Sequence, residues 1–168
     1  MLELDAESIY FELVRRVREH IVGRSLRLVG VHTGGVWLAE RLRVDLHIEP
    51  EVGILDVSFY RDDFGQTGLS RGVRPSRIPF DVDGADILLV DDVLYTGRTV
   101  RAAMNELFDY GRPARIDLAV LIDRGGRELP ISTALIGRTI EVPADVSVVL
   151  SRDDQQRLHL RLERDPGG

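Results

Sequence analysis

The sequence contains no cysteine and no lysine, and each absence excludes a class of chemistry. Without cysteine the chain has no disulfide framework, no thiolate nucleophile and no cysteine metal site. Without lysine it cannot carry the lysine-dependent phosphate-binding P-loop, nor a mechanism that forms a Schiff base on a lysine amine. Because every basic residue is an arginine, arginine abundance alone does not indicate nucleic-acid binding.

Charge and hydropathy narrow the choice of partners. The 168 residues carry a net charge of −6, so no overall basic field attracts a polyanion. No apolar run approaches the ~20 residues that span a bilayer. The N-terminus is acidic, which is not typical of a signal peptide. The length suits one domain over residues 1–168, and we expect a cytoplasmic protein without a membrane partner.

Apolar strands alternate with helices along the chain. The pattern predicts helices over 5–22, 36–42 and 99–110, strands over 26–31, 52–59, 87–90 and 116–122, and shorter strand-like pieces over 136–162. This order indicates an α/β fold with a central parallel sheet flanked by helices. Ligands of such sheets bind beyond the carboxyl ends of the strands. The polar segment 61–76 has no hydrophobic period and predicts a functional loop.

The stretch Ile87–Thr99, ILLVDDVLYTGRT, carries the chemistry. A buried strand delivers the adjacent carboxylates of Asp91 and Asp92 to its end, and a turn with Gly97 then opens a helix. The N–H groups and partial positive charge of a helix N-terminus bind phosphate, while carboxylates accept hydrogen bonds from vicinal hydroxyls. The ligand indicated is a ribose 5-phosphate. Receiver domains and dehalogenase-type phosphatases also use strand-end acids, but they normally need a lysine.

This stretch resembles the phosphoribosyl pyrophosphate (PRPP) signature of type I phosphoribosyltransferases. The chain from about Leu4 to Val142 is also similar to the PyrR family of pyrimidine-operon attenuators, which are described as RNA-binding regulators with uracil phosphoribosyltransferase activity. The blocks that carry this resemblance are LVGVHTGGVWLAERL, LDVSFYRDD and LAVLIDRGGRELPI, together with the PRPP signature. The implied fold is that of a single phosphoribosyltransferase domain, with a central sheet and a small hood.

The resemblance implies a role for each part of the motif. The carboxylates of Asp91 and Asp92 would hold the ribose hydroxyls. The 5-phosphate would lie in the loop formed by Tyr95, Thr96, Gly97, Arg98 and Thr99. A second loop, comprising Thr33, Gly34 and Gly35, would present backbone N–H groups to the pyrophosphate. The sequence departs from the family at Gly34, where PyrR proteins commonly carry an arginine, so a candidate cation beside the pyrophosphate is missing.

The remaining site residues also follow from the resemblance. The loop at about 61–77, with Arg61, Asp62 and Asp63, would close over the site, and Asp123 and Arg124 would frame the uracil. The implied reaction forms UMP and pyrophosphate from uracil and PRPP, with Mg²⁺ accompanying PRPP and no direct protein ligand assigned to a metal. The family also implies a homodimer or a homotetramer.

Two other functions stay open at this point. The chain could act as a non-catalytic RNA-binding attenuator of a pyrimidine mRNA leader that responds to UMP. Candidate RNA contacts are then Arg15, Arg18, Arg127 and Arg138, although each also suits an ordinary solvated arginine. Alternatively, the enzyme could use another base such as a purine or orotate, because the base pocket depends on loop geometry.

Overall fold

A five-stranded parallel sheet lies at the centre of the fold, in a computed structural model that describes residues 2–57 and 76–167. Its strands are β2 (Arg27–Val31), β3 (Gly53–Leu55), β4 (Asp86–Leu94), β5 (Arg115–Asp123) and β6 (Leu135–Thr139), in the spatial order β3-β2-β4-β5-β6. The helices of the described part are α1 (Ala6–His20), α2 (Gly34–Asp45) and α3 (Arg98–Tyr110). The predicted α/β class with a parallel sheet is confirmed.

The sheet is covered on both faces, as its apolar strands predict. Successive side chains of a strand point to opposite faces. In β4, Leu88 and Val90 therefore pack in the cluster that includes α1 and α2, whereas Ile87 and Leu89 pack in the cluster that includes α3. All four side chains are fully buried, so this strand is apolar at every position between Asp86 and Asp91.

A three-stranded antiparallel sheet forms the hood that the resemblance implies. It consists of β1 (Leu2–Leu4), β8 (Leu158–Arg164) and β7 (Val146–Arg152), in the order β1-β8-β7. The pairing of Leu4 with Leu160 joins the two extremes of the described chain. The sequence pattern predicted the strands after residue 136 but missed β1, which is too short to show a period.

Several element boundaries differ from the prediction. Asp5 caps α1 as expected, accepting a hydrogen bond from the Ser8 N–H at 3.1 Å, but the helix ends at His20 rather than at residue 22. Helix α2 begins at Gly34, not at Val36, so the two glycines of the predicted loop form its first turn. Strand β4 continues to Leu94 because it stays paired with β5 throughout.

Two predictions extend beyond the described residues. The strand predicted over 52–59 is β3, Gly53–Leu55, and residues 58 and 59 lie outside the described part. Of the loop expected at 61–77, Ser76 and Arg77 are described. Arg77 forms an antiparallel bridge with Ile54, with both N–O distances at 2.7 Å. None of the helices formed by residues 2–57 and 76–167 has the length and apolar character needed to cross a bilayer.

Gly137 allows α1 to pack directly on β6, and this contact yields a stability prediction. A Cβ atom at this position would lie 2.6 Å from the Leu121 carbonyl oxygen and 2.7 Å from Ile9 Cγ2. Overpacking of this kind costs about 1–3 kcal/mol. We expect Gly137→Ala to lower the free energy of unfolding by that amount in urea titrations. The exposed neighbour is the control, since Arg138→Ala should change it by less than about 0.5 kcal/mol. Equal values for both variants would contradict the packing argument.

Candidate active site

The two acids of the motif lie inside β4, near its carboxyl end, rather than after it. The backbone N–H of Asp92 donates to Asp91 Oδ1 at 2.8 Å, and that of Val93 donates to Asp92 Oδ1 at 2.9 Å. Asp91 is only 2% exposed, whereas Asp92 is half-buried. Each carboxylate is thus oriented by the strand that carries it, and the pair forms a fixed acceptor surface.

The loop after β4 forms the start of α3. Gly97 adopts a left-handed conformation with φ +96°, and the Thr96 hydroxyl oxygen accepts a hydrogen bond from the Arg98 N–H at 3.2 Å. Helix α3 begins at Arg98, one residue before the predicted start at Thr99. Since the first N–H groups of a helix lack intrahelical partners, this turn can bind an anion beside the two acids.

The glycines at the start of α2 lie directly against the end of β4. A Cβ atom on Gly34 would collide with the Asp92 carboxylate, and one on Gly35 would collide with the Val90 carbonyl oxygen. The preceding peptide bond, His32–Thr33, is cis. The resemblance to PyrR proteins predicted that a cation is missing at Gly34, because those proteins commonly carry an arginine there. In the structure it is the residue that leaves room for an acid of the neighbouring strand.

Arg124 joins the end of β5 to the hood. Its guanidinium lies over the Tyr95 ring, 3.9 Å from the centroid. Nη1 donates to the Val146 carbonyl oxygen at 2.7 Å and Nη2 to the Pro143 carbonyl oxygen at 2.9 Å. The side chain is 7% exposed. Arg124 therefore connects three segments: the loop that contains Tyr95, the end of β5, and the chain around the start of β7.

Arg127 bonds to the loop that is predicted to bind the 5-phosphate. It donates to the Tyr95 carbonyl oxygen at 2.7 Å, to the Ile131 carbonyl oxygen at 2.9 Å and to Asp123 Oδ2 at 2.5 Å. The sequence proposed Arg127 as an RNA contact and Asp123 as a uracil contact. The structure shows them bonded to each other in a partly buried ion pair, with Gly125 N–H donating to Asp123 Oδ1 at 2.9 Å.

These elements surround one cavity of about 550 Å³. The predicted site residues that line it are Thr33, Gly34, Asp91, Asp92, Tyr95, Thr99 and Arg124. The other predicted members of the two loops, Gly35, Thr96, Gly97 and Arg98, and also Asp123, are not among the residues that line it. A smaller cavity, of about 360 Å³, lies between α3 and the opposite end of β5 and includes none of the predicted residues.

The sequence analysis missed the part of the lining that the hood, α2 and Val93 of β4 contribute. These residues are Trp37, Val93, Ala144, Ser147, Val148, Val149, Leu150 and Asp165. The Arg152 guanidinium lies 4.9 Å from the centroid of the Trp37 ring. Val93 lies within the stretch Ile87–Thr99, and Trp37 lies within one helical turn of the loop predicted to bind pyrophosphate, whereas no motif marks the hood positions.

Of the remaining predicted residues, those in the described part of the chain do not line the cavity. Arg61, Asp62 and Asp63 lie outside the described residues. Arg15 is exposed on α1 and bonded to Glu12 at 2.5 Å and Glu19 at 3.1 Å. The other two candidate RNA contacts, Arg18 and Arg138, are exposed.

The comparisons with known proteins agree with this geometry. Residues 5–156 match the family model for the phosphoribosyl transferase domain. The chain belongs to the phosphoribosyltransferase family. Within it, the chain is 53% identical over 137 residues to a protein of Pseudomonas aeruginosa (strain LESB58) called "Bifunctional protein PyrR", covering 80% of this chain and 81% of that protein. A protein of the same name from Ralstonia nicotianae is 47% identical over 156 residues, covering 91% of this chain and 89% of the relative. The recognition of a PyrR-type chain is therefore confirmed.

Solved phosphoribosyltransferases share the fold. A hypoxanthine phosphoribosyltransferase of Trypanosoma cruzi superposes with a TM-score of 0.66 at 22% identity, over 96% of this chain and 94% of that one. One from Staphylococcus aureus gives a TM-score of 0.63 at 21% identity, over 82% and 73%. At this identity the likeness establishes the architecture, and the base that these enzymes use is not transferred to this phosphoribosyltransferase.

The residues at the site fit a Mg²⁺ ion that is shared with substrate phosphates. Within residues 2–57 and 76–167 no group of three or more acidic or histidine side chains could hold a metal by itself. Mg²⁺ usually keeps several waters and binds through one or two carboxylates plus phosphate oxygens. Asp91 and Asp92 would supply such hard oxygen ligands, beside the loop predicted to bind the 5-phosphate.

The close approach of Gly34 to Asp92 leads to a prediction about activity. Because an added methyl group displaces the Asp92 carboxylate, Gly34→Ala should lower kcat/KM for phosphoribosyl transfer by about 10²-fold, the typical effect of a 1 Å misplacement. Steady-state kinetics would measure this. Gly23→Ala is the control: its φ of +73° makes alanine unfavourable for stability, but its added Cβ has no neighbour within 4 Å and it lies outside the cavity, so kcat/KM should not change. Full activity in Gly34→Ala would show that the acid tolerates displacement.

The Asp123–Arg127 pair leads to a prediction about acid stability. Burial raises the pKa of Asp123, but the hydrogen bonds from Arg127 and from the Gly125 N–H outweigh it and hold the pKa below its ordinary value. A depressed carboxyl pKa stabilises the fold above the unfolded-state pKa of about 3.9, and that contribution is lost as the pH falls through the folded-state pKa.

We therefore expect the free energy of unfolding of Asp123→Asn to decrease less steeply than that of the unmodified protein as the pH falls below about 4. Urea titrations over a pH series would measure the two slopes. Asp109→Asn, at an exposed position near the end of α3, should reproduce the unmodified slope. Identical slopes for the Asp123 variant and the unmodified protein would contradict the assigned ion pair.

Proposed function

We propose that this phosphoribosyltransferase transfers the ribose 5-phosphate group of PRPP to a nitrogen of uracil and forms UMP and pyrophosphate. The single observation that carries the proposal is the shared cavity of Asp91, Asp92 and the turn before α3. Paired carboxylates suit vicinal hydroxyls and the helix N-terminus suits a phosphate, so a ribose 5-phosphate satisfies both at once. The resemblance to the PyrR family supports uracil as the base.

The polarity of the residues that line the cavity indicates how the substrate would be oriented in it. The 5-phosphate is assigned to the loop Tyr95–Thr99, and the ribose hydroxyls to Asp91 and Asp92. The pyrophosphate then extends toward Thr33–Gly35. The base lies toward Arg124 and the hood, with Asp123 bracing that region from behind. This orientation uses the whole length of the cavity and gives each wall a ligand of matching polarity.

The reaction passes through an oxocarbenium-like transition state, as glycosyl transfers do, when the bond from C1 to pyrophosphate breaks. Asp91 and Asp92 hold the ribose in position and their negative charge lies close to the positive charge that develops on the sugar. The backbone N–H groups at the start of α2 donate to the leaving pyrophosphate. Mg²⁺, bound with PRPP, supplies further neutralisation of phosphate charge.

A second role is proposed on separate grounds. Relatives of this chain bear the name "Bifunctional protein PyrR", and we propose an additional UMP-responsive, RNA-binding regulatory role. Arg18 and Arg138 are the more accessible candidates for contacts with a pyrimidine mRNA leader. Arg15 already pairs with two glutamates, and Arg127 donates to three partners. A cytoplasmic location and a homodimer or homotetramer belong to the same proposal.

The proposal is tested by an assay with PRPP, Mg²⁺ and, in turn, uracil, hypoxanthine, guanine and orotate. We expect UMP and pyrophosphate from uracil. Replacing a preorganised charged partner typically costs roughly 10²–10³-fold in rate. Asp91→Asn and Asp92→Asn should each show a loss of that order, whereas Asp109→Asn, with the same change of charge outside the cavity, should keep full activity.

The alternatives predict different results in the same assay. Turnover with hypoxanthine or guanine but not with uracil would reassign the base and keep the enzyme. No turnover with any base, together with measurable binding of PRPP or UMP, would contradict the catalytic proposal. Binding of a pyrimidine leader RNA would then be the measurement that supports the regulator.

A further inference from the structure

Arg152, the last residue of β7, is a cation on the face of the hood that covers the cavity. Side chains of a strand alternate between its two faces, so Arg152 shares a face with Val148 and Leu150. Both of these residues line the cavity. Across the antiparallel ladder Arg152 pairs with Leu158, which belongs to the buried core. Arg152 therefore continues the cavity-facing side of the hood to the exposed end of the strand.

The guanidinium of Arg152 has an aromatic platform but no anionic partner in the described part of the chain. Its central carbon lies 4.9 Å from the centroid of the Trp37 ring, which is within the range of a cation–π contact. It forms no hydrogen bond and no ion pair with residues 2–57 or 76–167. Arg24, Arg41 and Arg127, in contrast, each pair with a carboxylate. The positive charge of Arg152 is thus positioned by the fold and remains available to a ligand.

Trp37 connects this cation to the start of α2. A helical side chain leans toward the N-terminus of its helix, and Trp37 follows Gly34 by three residues, about 4.5 Å along the axis. The Trp37 ring therefore covers the first turn of α2, and Thr33, Gly34 and Trp37 line the same cavity. The proposed orientation of the substrate assigns its pyrophosphate to this turn. The guanidinium over the ring consequently lies beside the position assigned to the most highly charged part of PRPP.

We propose that Arg152, held against Trp37, binds the pyrophosphate group of PRPP. A planar guanidinium presents its N–H donors in a fork that matches phosphate oxygens. When the bond from C1 to oxygen breaks, its electron pair leaves with pyrophosphate, and Arg152 stabilises that charge without transferring a proton. Position 34 carries a glycine in place of a cation, and Arg152 supplies a positive charge to the same group from the hood.

The inference rests on the proposed function for the presence of PRPP in the cavity. A hydrogen bond to a charged group is lost when Arg152 becomes glutamine, so we expect the Kd for PRPP in the presence of Mg²⁺ to rise by about 10-fold. UMP has a 5-phosphate, a ribose and a base but no pyrophosphate. The Kd for UMP should therefore not change, and in the enzyme assay the KM for PRPP should rise while the KM for uracil stays the same.

The test uses calorimetric titrations of PRPP with Mg²⁺, and of UMP, into the unmodified protein and three variants. Arg152→Gln removes the charge and keeps a polar side chain. Arg152→Lys keeps the charge and can still lie over Trp37, so its affinity for PRPP should fall by less. Arg112→Gln is the matched control, because Arg112 is exposed between α3 and β5, at the end of the sheet opposite to the cavity. Its affinities for PRPP and UMP should equal those of the unmodified protein.

The two ligands separate a contact with pyrophosphate from a structural role. Equal losses of affinity for PRPP and UMP in Arg152→Gln would show that the side chain only supports the fold, and the inference would be wrong. An unchanged Kd for PRPP in that variant would also overturn it, as would a loss in Arg152→Lys as large as in Arg152→Gln.

Titration and turnover together distinguish failure of this inference from failure of the proposed function. Formation of UMP from uracil with the same KM for PRPP in Arg152→Gln and the unmodified protein would keep the enzyme and reject the contact. No turnover with any base, combined with PRPP binding that depends on Arg152, would reject the enzyme and keep the contact.

Discussion

The contact between Gly34 and the Asp92 carboxylate is one of the tightest in the site, and the position of α2 beside β4 depends on it. Helix α2 follows β2 and can begin beside β4 only because no side chain separates them. This approach brings the loop assigned to pyrophosphate against the acids assigned to ribose. A Cβ atom at Gly35 would meet the Val90 carbonyl oxygen, so a larger residue there would move α2 outward and separate two surfaces that the proposed substrate contacts at the same time.

The sequence predicted the parts of the site whose geometry is local. The run from Ile87 to Thr99 becomes a buried strand, a tight turn and a helix because each step follows from neighbouring residues. Hood residues such as Ser147 and Asp165 could not be predicted in this way, since they reach the cavity through the pairing of β7 with β8 and carry no motif. Gly34 shows the same limit, because its meaning depends on an acid from a strand distant in sequence.

The lack of lysine has a structural counterpart in how arginines are used. Arg124 donates to two carbonyl oxygens of the hood turn, Arg127 to three groups around the phosphate loop, and Arg24 to both oxygens of Asp86. A planar guanidinium with donors in a fixed fork can make such multiple contacts, whereas an ammonium is a single compact charge. These arginines therefore connect separate loops through hydrogen bonds. The amino-acid composition alone would indicate only surface charge.

The hood joins β1 to β8, strands from opposite extremes of the described chain. A ribosome releases β2, β4 and the phosphate loop long before it releases Leu158–Arg164, so the sugar-phosphate half of the cavity can assemble while the base half still lacks its wall. Closing so long a loop is also entropically costly, and non-local pairings of this kind slow folding. A newly made chain would thus acquire the surface assigned to the sugar phosphate before it acquires the surface assigned to the base.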